Sequence, residues 1–181
     1  MNPCRNILVA YGTKAGSTAE IAAFIADALR EAGAAVEVMP VERVRSLTPY
    51  CAVILGTATR VGKPLKNVTD FVQKFSRELA PLPVAYFVVG ITMSEDTPER
   101  RIQAEAVLEP LCNVKQPIAK GLFAGKVDFK RLEQPWRFLM THAREGAIAE
   151  GDWRDWNAIR AWVEQLEPAL VGLAARPLEQ V

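Results

Sequence analysis

Ile7-Leu8-Val9-Ala10-Tyr11-Gly12-Thr13-Lys14-Ala15-Gly16-Ser17-Thr18-Ala19-Glu20 is the stretch on which the reading of this chain turns. Its first five residues are an apolar run that stops at Gly12, as expected of a strand buried on both faces of a parallel sheet. The next residues are small or hydroxyl-bearing. Beyond them Ile21, Phe24, Ile25, Ala28 and Leu29 fall at helical spacing and form one apolar stripe. Gly33 stands where a helix stop is expected. A strand, a short glycine-containing turn and a helix therefore follow one another within the first 33 residues.

The same alternation continues outward from this unit. Strands are expected at 35–39, 52–56, 84–90 and 118–123. Helices are expected from Pro64 to about Leu79, from a Thr97-Pro98-Glu99 start to about Leu108, and from near Asp152 to about Leu170. Strands alternating with helices imply crossover connections, hence an α/β fold with a parallel sheet covered on both faces. Five strands favour the order 2-1-3-4-5. The stretch 124–150 breaks the alternation and holds Gly125, Pro135 and Gly146 around a short helix expected at 135–144. It reads as an insertion near the fifth strand within a single domain spanning 1–181, a length suited to one compact core.

Composition narrows the function. Lys plus Arg number 22 and Asp plus Glu 21, so the net charge of +1 provides no long-range field for nucleic acid. No apolar run approaches the ~20 residues of a membrane span. The first residues lack the apolar core of a secretory signal. Cys4, Cys51 and Cys112 have neither metal-site nor disulfide spacing, which points to a reducing cytoplasm. Cys51, at the head of an apolar strand, is expected to pack in the core.

In an open parallel sheet ligands bind beyond the carboxyl ends of the strands. The turn after strand one is the first such place, and it suits a phosphate. Its small residues let the backbone approach closely, and it leads into a helix N-terminus, whose amides and dipole favour an anion. Thr13, Ser17 and Thr18 add hydroxyls and Lys14 adds charge. Ser17 and Glu20 also satisfy a capping box, which needs no ligand. A Walker loop requires Lys after Gly16 and a dinucleotide fingerprint requires a third glycine; neither is present. Thr57 stands where a phospho-acceptor domain would place Asp.

Tyr11, Thr13, Gly16, Thr18, Ala22 and Ile25 occupy the places of the flavodoxin phosphate signature, and the chain resembles that family over nearly its whole length. Ala10 is smaller than the family's usual residue. The resemblance implies a three-layer flavodoxin-like sandwich and an FMN cofactor. It implies cofactor contacts from Thr13, Lys14, Ala15, Gly16, Ser17 and Thr18 to the phosphate. Two further loops, Thr57, Ala58, Thr59, Arg60, Val61 and Gly62 after strand three and Gly90, Ile91, Thr92 and Met93 after strand four, would hold the ring. Two features depart from a flavodoxin electron carrier: the charge is near neutral, and neither ring loop contains Trp or Tyr.

The chain is most similar to the flavodoxin-domain branch of menaquinone-dependent protoporphyrinogen IX dehydrogenases. Its 134–140 stretch and the Gly151-Asp152-Trp153-Arg154-Asp155-Trp156 lead into the last helix belong to that likeness. The implied activity is an FMN-dependent oxidoreductase of porphyrin biosynthesis that passes electrons to a quinone. A flavodoxin-like electron carrier serving a protein redox partner, and an FMN-free interaction module, are the alternatives. Arg60 and Lys63 are candidate substrate contacts, because a porphyrinogen carries carboxylates and Arg binds these in bidentate fashion. Trp136, Phe138, Leu139 and Met140 among Lys130, Arg131, Arg137 and Arg144 make the insertion a candidate peripheral membrane contact on the cytoplasmic face. His142 is expected to be solvated or packed. No metal site and no catalytic acid–base set is expected; the hard chemistry would belong to the cofactor.

Overall fold

The computed structural model describes residues 6–131, 138 and 150–174. Strand β1 (Asn6–Gly12) leads to helix α1 (Ser17–Glu31), and β2 (Ala35–Pro40) and β3 (Tyr50–Arg60) follow. A two-residue β4 (Lys63–Pro64) precedes helices α2 (Lys66–Lys74) and α3 (Ser76–Leu79). Next come β5 (Val84–Gly90), α4 (Pro98–Cys112) and β6 (Ala119–Ala124). The short strands β7 (Lys126–Val127) and β8 (Gly151–Asp152) precede the last helix, α5 (Trp156–Ala174).

The main sheet runs β2-β1-β3-β5-β6 with every neighbour parallel, which is the expected five-strand order once the small β4 is set aside. Side chains alternate across a strand, so the apolar run of β1 feeds both faces. Leu8 and Ala10 join Val68, Phe71, Leu108 and Leu111 beneath α2 and α4. Ile7 and Val9 join Ile21, Ile25, Ile159 and Val163 beneath α1 and α5. Burial on both faces is why these strands carry unbroken apolar runs.

Several boundaries differ from the expectation, each for a local reason. Pro64 does not open a helix: with Lys63 it pairs antiparallel to the end of β3, Thr59 opposite Pro64 and Arg60 opposite Lys63. Val61 and Gly62 form the tip with φ of 50° and 68°, the two positive values that a tight hairpin requires. Helix α2 starts at Lys66, and the chain breaks at Phe75 before α3. Helix α4 does start at Thr97, whose hydroxyl accepts from the Arg100 amide at 3.3 Å, but it continues through Pro110 to Cys112. The last helix begins later than expected. Asp155 accepts from the amides of Asn157 and Ala158 at 3.0 and 2.9 Å, whereas Asp152 belongs to β8. Gly33 ends α1 as expected, with φ of 94° and with Ala34 donating back to the Leu29 carbonyl at 3.0 Å. Cys51 is only half-buried, and its thiol donates to the Asn6 carbonyl at 3.4 Å.

Strands β7 and β8 pair antiparallel, Lys126 opposite Asp152 and Val127 opposite Gly151, so the chain leaves and rejoins the sheet edge at one place. This brackets the expected insertion. The helix expected at 135–144 falls outside the described residues except for Phe138, which is helical and 61% exposed. Trp136, Arg137, Leu139, Met140, His142 and Arg144 also lie outside them. Among the described residues no helix is long and apolar enough to cross a membrane.

Candidate functional site

The turn after β1 is held by its own first hydroxyl: Thr13 Oγ1 accepts from the Gly16 amide at 3.0 Å. Gly16 caps α1 with φ of 95°, in the left-handed region that favours glycine. No side chain caps this helix. The first in-helix bond runs from the Glu20 amide to the Gly16 carbonyl, which leaves the amides of Ser17, Thr18 and Ala19 ahead of it. The capping box therefore does not form. Glu20 turns away to Arg131 Nη1, at 3.0 Å, and to Arg154, because two guanidinium groups hold a carboxylate better than one amide does. Beneath the turn, Thr18 is fully buried, and among the described residues its hydroxyl has no hydrogen-bond partner. A buried hydroxyl left unpaired costs roughly 1–3 kcal/mol. A donor of this kind, below a set of uncapped amides at the positive end of a helix dipole, has the chemistry of an oxyanion holder, and it fits a phosphate.

The turn forms one wall of a cleft at the carboxyl edge of the sheet. Thr13, Lys14, Ala15 and Ser17 line it on one side. Ala58, Thr59, Arg60 and Val61 from the end of β3, with Gly90 and Ile91 after β5, line the other. Leu65 and Val89 add apolar surface, and among the described residues no aromatic side chain lines it. The ends of β3 and β5 meet closely here. A Cβ on Gly90 would lie 2.8 Å from Thr59 Oγ1, so glycine is what lets the two loops touch.

The remaining expected residues sit elsewhere. Thr57 is fully buried and its hydroxyl is committed: it accepts from the Leu65 amide at 3.0 Å and donates to the Ala58 carbonyl at 2.9 Å. It ties the end of β3 to the start of α2. Gly62 lies at the hairpin tip, and Lys63 is exposed opposite Arg60. Met93 packs in the core between the sheet and α4, and Thr92 lines a neighbouring cleft.

The expected set omits a third wall. Gly125, Lys126, Val127 and Arg131 line the same cleft from the chain that follows β6. Gly125 lies beside the first turn: a Cβ there would be in ordinary contact with Ser17 Oγ, at 3.5 Å. The cue was available, since β6 also ends at the carboxyl edge, where ligands bind. With Lys14 and Arg60, Lys126 and Arg131 make the lining basic, and no acidic residue is in it among the described residues.

Arg154 anchors this third wall. Its side chain is only 7% exposed. It binds Asp152 at 2.6 Å, reaches Glu20, and lies 4.7 Å over the Trp156 ring. Its hydrogen bonds are the leading cause that holds the Glu20 and Asp152 carboxyls below their ordinary range. The start of α1 and the chain rejoining at β8 are thereby locked together around one guanidinium.

Comparison with known proteins agrees with this geometry. A family model described as a flavodoxin domain matches residues 8–153. Protoporphyrinogen IX dehydrogenase [quinone] of Escherichia coli K12 is 24% identical over 170 residues, covering 88% of this chain and 93% of that protein. The Fusobacterium nucleatum flavodoxin, solved bound to flavin mononucleotide, superposes with a TM-score of 0.57 at 13% identity, covering 91% of this chain and 98% of that one. Rubredoxin oxygen:oxidoreductase of Desulfovibrio gigas superposes with a TM-score of 0.58 at 14% identity; it covers 96% of this chain, which matches 38% of that longer protein. The parallel order of the sheet, the uncapped turn at its carboxyl edge and the match over most of the length place this chain in the flavodoxin domain family.

Proposed function

We propose that the chain binds FMN in the basic cleft and works as an oxidoreductase of the protoporphyrinogen dehydrogenase type, passing electrons from a porphyrinogen to a quinone. The observation that carries the cofactor is the buried, unpartnered hydroxyl of Thr18 under the uncapped start of α1. The 24% identity to the Escherichia coli dehydrogenase supports the reaction.

On this reading the Thr18 hydroxyl donates to a phosphate oxygen, and the amides of Ser17, Thr18 and Ala19 complete the cradle. Lys14 offsets its charge. Bound FMN supplies hydride and single-electron transfer. The side chains position it: Ala58, Thr59, Val61, Gly90 and Ile91 line the slot for the ring, and Leu65 and Val89 keep water from it. Thr57 and Met93 act from beneath, by fixing the two loops. The hairpin brings Arg60 and Lys63 to one tip beside that slot, where both charges can meet the carboxylates of a porphyrinogen. The inserted segment, with exposed Phe138 and with Lys130 and Arg131 preceding it in the chain, is the side we assign to a membrane surface holding the quinone.

The test is Thr18→Val. FMN affinity should fall roughly 10- to 100-fold, the worth of a hydrogen bond to a charged group. Equal affinity in variant and wild type would remove the cradle. Arg60→Ala should raise the KM for protoporphyrinogen; unchanged kinetics would take Arg60 out of the substrate site. Failure to co-sediment with anionic vesicles would sink the membrane contact.

A further inference from the structure

A second cleft, of about 590 Å3, opens next to the basic one and shares Ile91 with it. That is within the ~300–1,000 Å3 range of small-molecule sites. Thr92 and Ser94, in the turn after β5, form one wall. Arg100 and Gln103, one turn apart on α4, form a second, and Trp153, just past β8, forms a third.

The two clefts differ in charge. Among the described residues four basic and no acidic side chains line the first, and of the four Arg131 is paired with Glu20 at 3.0 Å. The second holds Arg100 and Glu99, and Arg100 is further offset by Glu95 at 3.0 Å. An anion gains little there, since Glu99 and Glu95 oppose it. A neutral ligand that accepts hydrogen bonds meets no such opposition. Arg100 is held for that role: Nη1 donates to the Thr92 carbonyl at 3.3 Å and to Ser94 Oγ at 3.2 Å. Among the described residues these bonds and the Glu95 pair use three of the five guanidinium N–H donors, leaving two for a ligand. The Gln103 amide is a further donor. Trp153 is held as well: its amide donates to the Gly125 carbonyl at 3.3 Å. Its ring lies against Gly151, where a Cβ would sit 2.7 Å from the indole. Glycine at that point lets the ring lie on the backbone.

Resting on the flavin reading of the neighbouring cleft, we propose that this second cleft binds an uncharged, planar, carbonyl-bearing ring of the quinone class. Trp153 supplies the stacking wall, and Arg100 and Gln103 supply the donors to the ring carbonyls. The carboxylated reductant and the neutral acceptor are thus sorted by charge between two adjoining clefts.

The test uses the purified full-length protein and menadione, a soluble naphthoquinone, with binding measured by equilibrium dialysis and flavin content measured separately. Trp153→Leu should weaken menadione binding about tenfold, and Trp153→Phe, which keeps an aromatic face, should largely restore it. Arg100→Ala should weaken binding severalfold. Flavin content should stay at the wild-type level in all three variants. Menadione affinity unchanged in Trp153→Leu would overturn the proposal. So would tighter binding of a carboxylate-bearing naphthoquinone than of menadione. Should the protein take up no FMN, the reading of the first cleft fails; menadione titration of the flavin-free protein then still decides the second.

Discussion

Two helices begin at the same edge of the sheet and do opposite things with their first amides. Helix α4 closes its own start: Thr97 accepts from the Arg100 amide, and Pro98 in the first turn has no N–H to satisfy. Helix α1 starts at Gly16 with no side-chain cap, although Ser17 and Glu20 have the spacing to form one. Its first-turn acidic residue is drawn off by Arg131 and Arg154, and its buried threonine hydroxyl has no partner among the described residues. A helix start that satisfies itself is structural. One that gives up its cap and buries an unpaired donor carries a cost of folding that a bound oxyanion would offset.

The sharpest way to break this contrast is a substitution with effects of opposite sign. Thr18→Val, which should cost up to about 100-fold in FMN affinity, should leave the FMN-free protein as stable as wild type or up to ~1 kcal/mol more stable, because it removes a buried unpaired hydroxyl. Denaturant unfolding without FMN checks this. A loss of stability there would mean that the hydroxyl is already satisfied and that the two helix starts are alike.

The next effect concerns the residue that draws Glu20 away. Arg154→Ala leaves Glu20 and Asp152 without their strongest partner and uncovers the Trp156 ring. Because both carboxylates are more than two-fifths exposed, the loss should be about 2 kcal/mol, less than for a fully buried pair. For a chain of this size that lowers Tm by roughly 4–8 °C, readable by thermal unfolding. A Tm within 1–2 °C of wild type would show that the clamp is ornamental, with roughly that scatter expected of surface changes.

Thr97→Ala tests the other member of the pair. It should cost about 1 kcal/mol of stability and leave FMN affinity unchanged, since α4 starts away from the basic cleft. A parallel loss of FMN binding would show that the second helix start also serves the cofactor.

The smallest effect is in acid. Arg154 holds the Glu20 and Asp152 carboxyls below their ordinary range. A carboxylate with a lowered folded pKa adds stability that is complete above its unfolded value, ~4.3 for Glu and ~3.9 for Asp, and that is lost as the pH falls through the folded value. Wild type should therefore lose stability more steeply than Arg154→Ala below about pH 4. Parallel curves would mean that the two carboxylates are not held by this guanidinium.

Much of this was legible from short-range pattern. The five main strands follow from apolar runs, the start of α4 from Thr97-Pro98, and the end of α1 from Gly33. The 13–18 turn was recognisable as a candidate phosphate cradle because such a turn is a local object, with its glycine, its hydroxyls and the helix that follows within one short segment. The β3–β4 hairpin was not legible, because its tip places Val61, a β-branched residue, at positive φ where Gly or Asn would be expected. Nor was the third wall of the cleft. Arg131 and Arg154 reach Glu20 across 111 and 134 positions of chain, and no periodicity encodes such a pairing.

The amino-acid sequence by itself determined the layers, the strand order and the place of the turn between β1 and α1, since each depends on the spacing of apolar and turn residues over a few positions. Only the tertiary structure decided which partner each polar group takes. Ser17, Thr18 and Glu20 read locally as a self-capped helix start. They become an open one when the sheet edge carries β7 and β8 past them, because at that range two guanidinium groups outcompete a backbone amide for one carboxylate.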